Sequence, residues 1–224
     1  MQQELKTNIN SLNLKITHAS KAISMNLNDI FLIAVSKKKS IEHIREAHSL
    51  GINNFGENYA QELEDKAKNI NGNISWHFIG PVQSNKSKII AKYADWIHTI
   101  DREKIADKIN NECQKINKTI NACIQVNISN EPTKSGICPE DLFTFAKYVD
   151  SMENINFKGI MVLPSLGKDN ENQMRNSKLL HEELISVFPD AKYLSMGTTY
   201  DFEKAITYGS NMIRVGELIF GKRQ

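Results

Sequence analysis

A lysine that follows an apolar run is the residue best suited to covalent chemistry in this sequence. Residues 30–35 form a continuous apolar stretch typical of a buried strand, and Lys37 follows it after one serine. Partial withdrawal from water favours the neutral amine, which lowers the pKa of a lysine from about 10.4 and allows attack on a carbonyl. Lys37 could therefore form a Schiff base, although its position alone slightly favours a solvated basic turn. We interpret Lys38 and Lys39 as residues of such a turn.

Small residues follow two apolar runs near the end of the sequence. Gly197 and Gly216 would let the backbone approach a ligand closely, and Ser195 and Thr199 offer hydroxyl groups. A helix that begins near residue 201 adds unpaired N–H groups, so these segments could hold a phosphate, unless the glycines merely end strands. A lysine facing a phosphate site suggests pyridoxal 5′-phosphate (PLP), whose aldehyde and phosphate lie at opposite sides of the ring.

Other reactive residue types give weaker signals. His43 and His48 lie on one predicted helix without the pattern of a zinc site, and His77 fits a hydrogen-bonded, half-buried histidine better than a base. There is no dinucleotide fingerprint, Walker loop or serine nucleophile elbow. We therefore predict no metal site and assign no catalytic residue.

Short apolar runs alternate with amphipathic segments along the chain, which predicts alternating strands and helices. Eight strands are predicted, at residues 30–36, 52–55, 75–79, 96–100, 121–128, 157–163, 192–196 and 212–215. Helices are predicted at residues 5–23, 40–50, 58–70, 84–93, from 101 to about 116 with Asp101 as its cap, from 139, at 174–188 and at 201–208.

Alternating strands and helices imply a parallel sheet, because tight turns cannot join parallel strands. Eight units in 224 residues fit an α/β fold that is a closed (β/α)8 barrel of TIM type, with an extra N-terminal helix that plugs or flanks it. An open, doubly wound sheet is the alternative. No linker or repeat interrupts the pattern, so we expect a single domain over residues 1–224.

Composition restricts the classes of partner. The 28 basic and 26 acidic residues leave a net charge of +2, which argues against nucleic acid and membrane surfaces as partners. The 3 cysteines are odd in number and too far apart for a disulfide framework, and no apolar run approaches the roughly 20 residues of a membrane span. The protein is therefore expected in the cytoplasm.

Several motifs occur in order between about residues 31 and 222. They are Ala-Val-Ser-Lys at 34–37, Phe-Gly-Glu-Asn-Tyr at 55–59, Trp-His-Phe-Ile-Gly-Pro at 76–81, His-Thr-Ile-Asp at 98–101, Gln-Val-Asn-Ile at 125–128, Lys-Ser-Gly at 134–136, Gly-Ile-Met at 159–161, Ser-Met-Gly at 195–197, Arg-Val-Gly at 214–216 and Ile-Phe-Gly at 219–221. Together they resemble the YggS/PROSC family of pyridoxal phosphate homeostasis proteins.

The resemblance implies a barrel like the N-terminal domain of alanine racemase, with PLP as the cofactor. It implies these cofactor-binding residues: Lys37, Asn58, Ser195, Gly197, Thr199, Arg214 and Gly216. Lys37 would form the Schiff base, and Arg214 would face the pyridine nitrogen. Because an arginine stays charged, it would keep that nitrogen unprotonated and weaken the ring as an electron sink.

Two segments depart from the family pattern. Thr198 and Thr199 stand where the family often has Met-Ser, so Thr199 would supply the hydroxyl for the phosphate. Glu217 stands where a small hydroxyl residue is frequent. Because a carboxylate repels a phosphate, we expect the Glu217 side chain to point away while its backbone N–H binds.

The favoured function is therefore intracellular PLP homeostasis, with little catalysis. The chain ends soon after residue 221, so we expect no counterpart of the C-terminal domain that gives alanine racemase its second acid/base group and its dimer. PLP-dependent apo-enzymes are possible partners, and a monomer is expected. An active amino-acid racemase or lyase would need a second group, such as His77 or a tyrosine. A third hypothesis is an aldolase-like barrel that uses Lys37 on a sugar phosphate without a cofactor.

Overall fold

Eight strands form the centre of the computed structural model, which describes residues 2–129, 131 and 134–221. Residue 222, where the motif matches end, and the two termini of the expected domain lie outside the described residues. The strands are β1 (Phe31–Val35), β2 (Asn54–Glu57), β3 (Ser75–Phe78), β4 (Trp96–Ile100), β5 (Ile120–Val126), β6 (Ile155–Val162), β7 (Tyr193–Thr198) and β8 (Met212–Val215). They are all parallel, and β8 pairs with β1 to close the barrel. The predicted barrel is confirmed, and the open sheet is excluded.

Helices follow the strands and cover the outside of the barrel. They are α1 (Gln2–Lys21), α2 (Ile41–Ser49), α3 (Ala60–Asn69), α4 (Ser87–Tyr93), α5 (Glu103–Lys115), α6 (Leu142–Asp150), α7 (Asn170–Val187), α8 (Phe202–Thr207) and α9 (Glu217–Phe220). None of the helices in the described part of the chain has both the length and the apolar character needed to cross a bilayer.

The predicted N-terminal helix is confirmed as α1, and it flanks the barrel. Its apolar side buries Leu5, Ile9, Leu12 and Ile16, and it packs against α8 and α9. The side-chain amide of Asn8 also donates to the carbonyl of Ile219, at 3.1 Å. The helix therefore covers the side of the barrel where its last two helices lie.

Most predicted element bounds agree with the structure, with a few exceptions. Asp101 is not the cap of α5, because the capping position is Arg102, whose guanidinium pairs with the Asp101 carboxylate at 2.5 Å. Strand β2 runs from residue 54 to 57, later than predicted, because its pairing with β3 extends through Gly56 and Glu57. Helix α7 begins four residues before the predicted position 174, and the short helix α9 was not predicted.

Two apolar layers stabilise the barrel. The outer layer packs the helices against the strands, whereas a smaller cluster contains Ile33, Trp96, Cys123, Met161 and Met212. The second cluster is built from strand residues alone, and buried polar side chains accompany it on the same strands. Because side chains alternate along a strand, each strand contributes to both layers.

Gly197 is required by the packing of α8 onto β7. Its φ of +94° is one that residues with a Cβ rarely adopt, and an added Cβ would lie 2.6 Å from the Cβ of Ala205 and 2.9 Å from the Cα of Phe202. A larger residue would therefore push α8 away from the strand, and it would also strain the backbone at this position.

We predict that Gly197→Ala lowers the free energy of unfolding by about 2 to 4 kcal/mol, from backbone strain and overpacking. Gly167→Ala is the matched control, because an added Cβ at Gly167 meets nothing within 4 Å. Its effect should stay within about 0.5 kcal/mol. Urea unfolding measures both changes, and equal stability of the two variants would contradict the packing role of Gly197.

Candidate functional site

A cavity of about 300 Å³ opens where the strands of the barrel end. Its walls come from the C-terminal ends of β1, β7 and β8, from the segments that follow β1, β2, β3, β6, β7 and β8, and from α9 and the residue after it. They consist of Val35, Lys37, Lys39, Asn58, Ile79, Leu163, Thr198, Thr199, Tyr200, Arg214, Gly216, Glu217 and Gly221. The C-terminal ends of barrel strands are where enzymes of this fold place their sites, so the cavity is the candidate functional site.

The cavity brings together most of the residues that the sequence predicted for a cofactor. Its lining includes the predicted residues Lys37, Asn58, Thr199, Arg214 and Gly216. Ser195 and Gly197 do not line it, because both are buried on β7. The hydroxyl of Ser195 contacts other buried side chains, and Gly197 contacts α8.

Lys37 lies in a tight turn immediately after β1. The amide of Lys39 donates to the carbonyl of Ser36 at 3.0 Å, and Lys38 has a φ of +61°. Lys37 is half-buried and Lys38 is exposed, whereas Lys39, expected to be as solvated as Lys38, is also half-buried. The amine of Lys39 donates to the carbonyl of Phe220 at 3.0 Å, so it ties the turn to α9.

Arg214 places a buried positive charge in the cavity wall. The residue is 5% exposed, and its guanidinium donates to the hydroxyl of Ser195 at 2.5 Å and to the carbonyl of Val162 at 3.0 Å. Within the described residues no carboxylate lies within 4.0 Å of it. Burial lowers the pKa of Arg214 to about 10, while the charge of Asp201 acts in the opposite direction. An anionic ligand in the cavity would supply the missing countercharge.

A chain of buried hydrogen bonds leads away from Arg214 into the barrel. Ser195 Oγ lies 2.8 Å from His98 Nδ1, His98 Nε2 lies 3.0 Å from His77 Nδ1, and His77 Nε2 lies 3.2 Å from Asn54 Oδ1. Since Ser195 accepts from Arg214, its own hydrogen goes to His98, which donates to His77, which donates to Asn54. One direction of donation therefore satisfies every group with both imidazoles neutral.

Burial also explains the charge state of the two histidines. It lowers the pKa of His77 to about 3 and the pKa of His98 well below its usual value. Both rings are fully buried, and neither lines the cavity. His77 is therefore hydrogen-bonded and more deeply buried than the sequence suggested, and the partnership with His98 was not foreseen.

The segments after β7 and β8 meet at one side of the cavity. The backbone N–H of Gly216 lies 3.4 Å from the hydroxyl of Thr199, so two groups predicted to hold a phosphate are adjacent. The Glu217 carboxylate accepts from the hydroxyl of Tyr200 at 2.8 Å, and Tyr200 is 72% exposed. Glu217 thus has an exposed partner at the opening of the cavity.

Asn58 carries an unsatisfied polar atom in the cavity wall. Its side-chain oxygen is buried and has no hydrogen-bond partner among the described residues. Close packing fixes its backbone, because a Cβ added to Gly80 would lie 2.2 Å from the carbonyl oxygen of Asn58. A buried unsatisfied amide is costly, so a ligand group is the natural partner of Asn58.

The cavity as a whole fits a small phosphate-bearing aldehyde. Its lining contains three basic residues, Lys37, Lys39 and Arg214, and one acidic residue, Glu217. The amine can react with a carbonyl, and the hydroxyl and backbone N–H groups suit a phosphate. The sequence pointed to these groups but missed the buried Lys66, which contacts the backbone beside Lys37.

The chain is similar to known proteins over nearly its whole length. The family model described as "Alanine racemase, N-terminal domain" matches residues 15–224. The chain is 44% identical to the pyridoxal phosphate homeostasis protein of Buchnera aphidicola subsp. Schizaphis graminum, covering 96% of each protein. It is 41% identical to the protein of the same name from Haemophilus influenzae, covering 98% of this chain and 96% of that protein.

Solved structures share the fold. PipY from Synechococcus elongatus, solved with PLP bound, superposes with a TM-score of 0.80 at 28% identity, covering 92% of this chain and all (100%) of that one. An alanine racemase from Clostridium difficile 630 superposes with a TM-score of 0.78 at 14% identity, covering 99% of this chain and 56% of that one. The latter likeness concerns the fold alone.

The neutral histidines predict acid-sensitive stability. His77 has a folded pKa of about 3 against about 6.5 when unfolded, so the unfolded chain binds more protons as the pH falls below 6.5. The His77 contribution to the free energy of unfolding should therefore fall by about 1.4 kcal/mol between pH 7.5 and 5.5. Urea unfolding at both pH values should show a smaller loss for His77→Gln, and an equal loss in the two proteins would contradict the assignment.

Proposed function

The chain belongs to the family of pyridoxal phosphate homeostasis proteins, and we propose that it binds PLP as a Schiff base with Lys37 and serves intracellular PLP homeostasis. The observation that carries the proposal is one cavity lined by Lys37 and by a buried Arg214 that has no carboxylate partner among the described residues. The relatives support it, since two of them are named pyridoxal phosphate homeostasis proteins and PipY was solved with PLP bound.

Each end of the ligand has matching groups on this chain. The amine of Lys37 would condense with the aldehyde of PLP, and both amine hydrogens would leave with the aldehyde oxygen as water. Thr199 and the Gly216 N–H bind the phosphate, and Asn58 gains a partner for its buried oxygen. Ser195 acts indirectly by holding Arg214, and Gly197 by letting α8 pack closely.

Arg214 limits what the bound cofactor can do. When bound, PLP supplies an electron sink whose strength depends on protonation of its ring nitrogen. A guanidinium keeps its charge and donates only, so it does not transfer a proton to that nitrogen. The hydroxyl of Ser195 and the carbonyl of Val162 hold the guanidinium in place. Binding with little catalysis follows from this arrangement.

The rival function is an active racemase or lyase, and one observation favours it. Tyr200 lines the same cavity as Lys37 and is a titratable group. However, its hydroxyl donates to Glu217 and most of the residue is exposed, so water would compete with any substrate proton. His77 is unsuitable as the second group, because it is fully buried and outside the cavity lining. Homeostasis is therefore the better supported function.

The proposal extends to location and partners. A PLP store acts where PLP-dependent enzymes fold, so the protein is proposed to be cytoplasmic and to supply PLP to apo-enzymes. A monomer with one barrel domain is sufficient for this role, since one protomer provides every group named for the cavity.

Lys37→Ala is predicted to abolish the imine absorbance that appears when PLP is added. It should leave the affinity for inorganic phosphate within about threefold of the parent, because the protein groups proposed to bind phosphate lie on other segments. Absorption spectra before and after borohydride, with peptide mapping of the reduced lysine, measure the first effect, and competition by phosphate measures the second.

Lys38→Ala is the matched control, because Lys38 is the exposed neighbour in the same turn. It should keep the absorbance and the borohydride-stable label on Lys37. A label on another lysine, such as Lys134, in the parent protein would refute the assignment of Lys37.

Incubation of the PLP-loaded protein with L-alanine is predicted to give no sustained inversion. Chiral chromatography should show turnover far below roughly 1 per second, the lower end of rates for dedicated enzymes. Turnover at or above that rate, lost in Tyr200→Phe but kept in Tyr59→Phe, would establish the rival function. Tyr59 is also exposed and does not line the cavity.

A further inference from the structure

The two peptide planes beside the Cα of Lys37 are bound by one group of charged side chains. We call Glu57, Glu62 and Lys66 the Lys66 cluster. The amine of Lys66 donates to the carbonyl of Ser36 at 2.8 Å, and this oxygen belongs to the peptide plane before Lys37. The carboxylate of Glu62 accepts from the backbone N–H of Lys38 at 2.7 Å, and this nitrogen belongs to the plane after it.

The amine of Lys66 is saturated within the cluster, whereas Glu57 Oε2 is buried and has no hydrogen-bond partner among the described residues. The Lys66 amine also donates to Glu57 at 2.7 Å and to Glu62 at 2.9 Å, so its three hydrogens are used. Glu57 accepts from the hydroxyl of Ser36 at 2.6 Å. Lys66 is 4% exposed and Glu57 is fully buried. The side chains therefore have little freedom to rearrange independently of the turn.

The geometry of the peptide chain links these two hydrogen bonds to the direction of the Lys37 side chain. The φ and ψ angles of Lys37 are the rotations that relate its two flanking peptide planes, and together they set the direction of its Cα–Cβ bond. When both planes are bonded to one cluster, that direction is fixed. The positive φ of Lys38, costly for a residue with a side chain, shows that the turn is held against its local preference.

We propose that Glu62 and Lys66 are positioning residues that aim the amine of Lys37 into the cavity for reaction with an aldehyde. This inference rests on the proposed function, in which Lys37 forms the Schiff base. It adds that the rate of this bond formation depends on residues that do not line the cavity. Misplacement of a reacting group by about 1 Å can cost about a hundredfold in rate.

Stability alone is a weak explanation for the Lys66 cluster. A buried ion pair often contributes no more than apolar residues of similar volume, because both charges lose their water. The same helix provides a comparison, since Lys68 and Glu64 form an exposed pair with the same spacing of four residues. The Glu64–Lys68 pair joins two positions of α3 to each other, whereas Lys66 and Glu62 bind both sides of the turn at Lys37.

The test compares Glu62→Ala with Glu64→Ala in the full chain. The rate of imine absorbance is measured after mixing with PLP, and affinity is measured for pyridoxine 5′-phosphate, which has the ring and phosphate but no aldehyde. We expect Glu62→Ala to slow imine formation about tenfold. Glu64→Ala should match the parent, and both variants should keep the parent affinity for pyridoxine 5′-phosphate.

Two further variants strengthen the test. Glu62→Gln retains an oxygen that can accept from the Lys38 amide, so it should restore most of the rate lost in Glu62→Ala. The double variant Glu57→Gln with Lys66→Met removes both buried charges together, and it should slow imine formation by roughly 30- to 100-fold if it folds. The Glu62 variants alone decide the matter if it does not fold.

The outcomes separate the two proposals. A parent protein without a borohydride-stable bond at Lys37 refutes the proposed function and, with it, the positioning role. A parent that forms the bond, with an equal rate in Glu62→Ala, refutes only the positioning role. A loss of pyridoxine 5′-phosphate affinity equal to the loss of rate also refutes it, because it would show a general collapse of the cavity.

Discussion

Pairing of the first strand with the last is the contact on which the site depends. In the β1–β8 pair, Ile33 lies opposite Arg214 and Ala34 lies opposite Val215, so the strand that ends before Lys37 runs beside the strand that carries the arginine. These two residues are far apart in sequence, and only closure of the barrel brings them to one cavity. Any disturbance of the barrel closure would separate the amine from the guanidinium.

The buried charge of Arg214 then determines what the cavity can accept. Its contacts are a hydroxyl and a carbonyl, which satisfy hydrogen bonds but do not neutralise it. The histidine chain behind Ser195 is neutral, so it supplies polarity without a countercharge. An anion that accepts hydrogen bonds in the cavity would therefore balance the buried charge of Arg214. The buried residues inside the barrel, together with those at its rim, thus favour an anionic ligand.

Local sequence patterns predicted the framework better than the direction of individual side chains. Strands 96–100 and 212–215 were predicted at their observed bounds because alternating runs and turns define them locally. Ser195 was expected at a phosphate, but its neighbours Arg214 and His98 come from other strands, so only the assembled barrel shows its partners. In the sequence Lys66 resembles an ordinary surface partner of Glu62, and the one local signal of its burial is the buried Leu63 on the same face of α3.

A crystal structure of the chain grown with PLP would show whether Lys37 holds the cofactor in this cavity. We predict continuous electron density from the Lys37 side-chain nitrogen to the ring, Arg214 at the pyridine nitrogen, and the phosphate against Thr199 and the backbone of Gly216. Density for the vitamer away from this cavity, with the Lys37 amine turned towards bulk water, would contradict it.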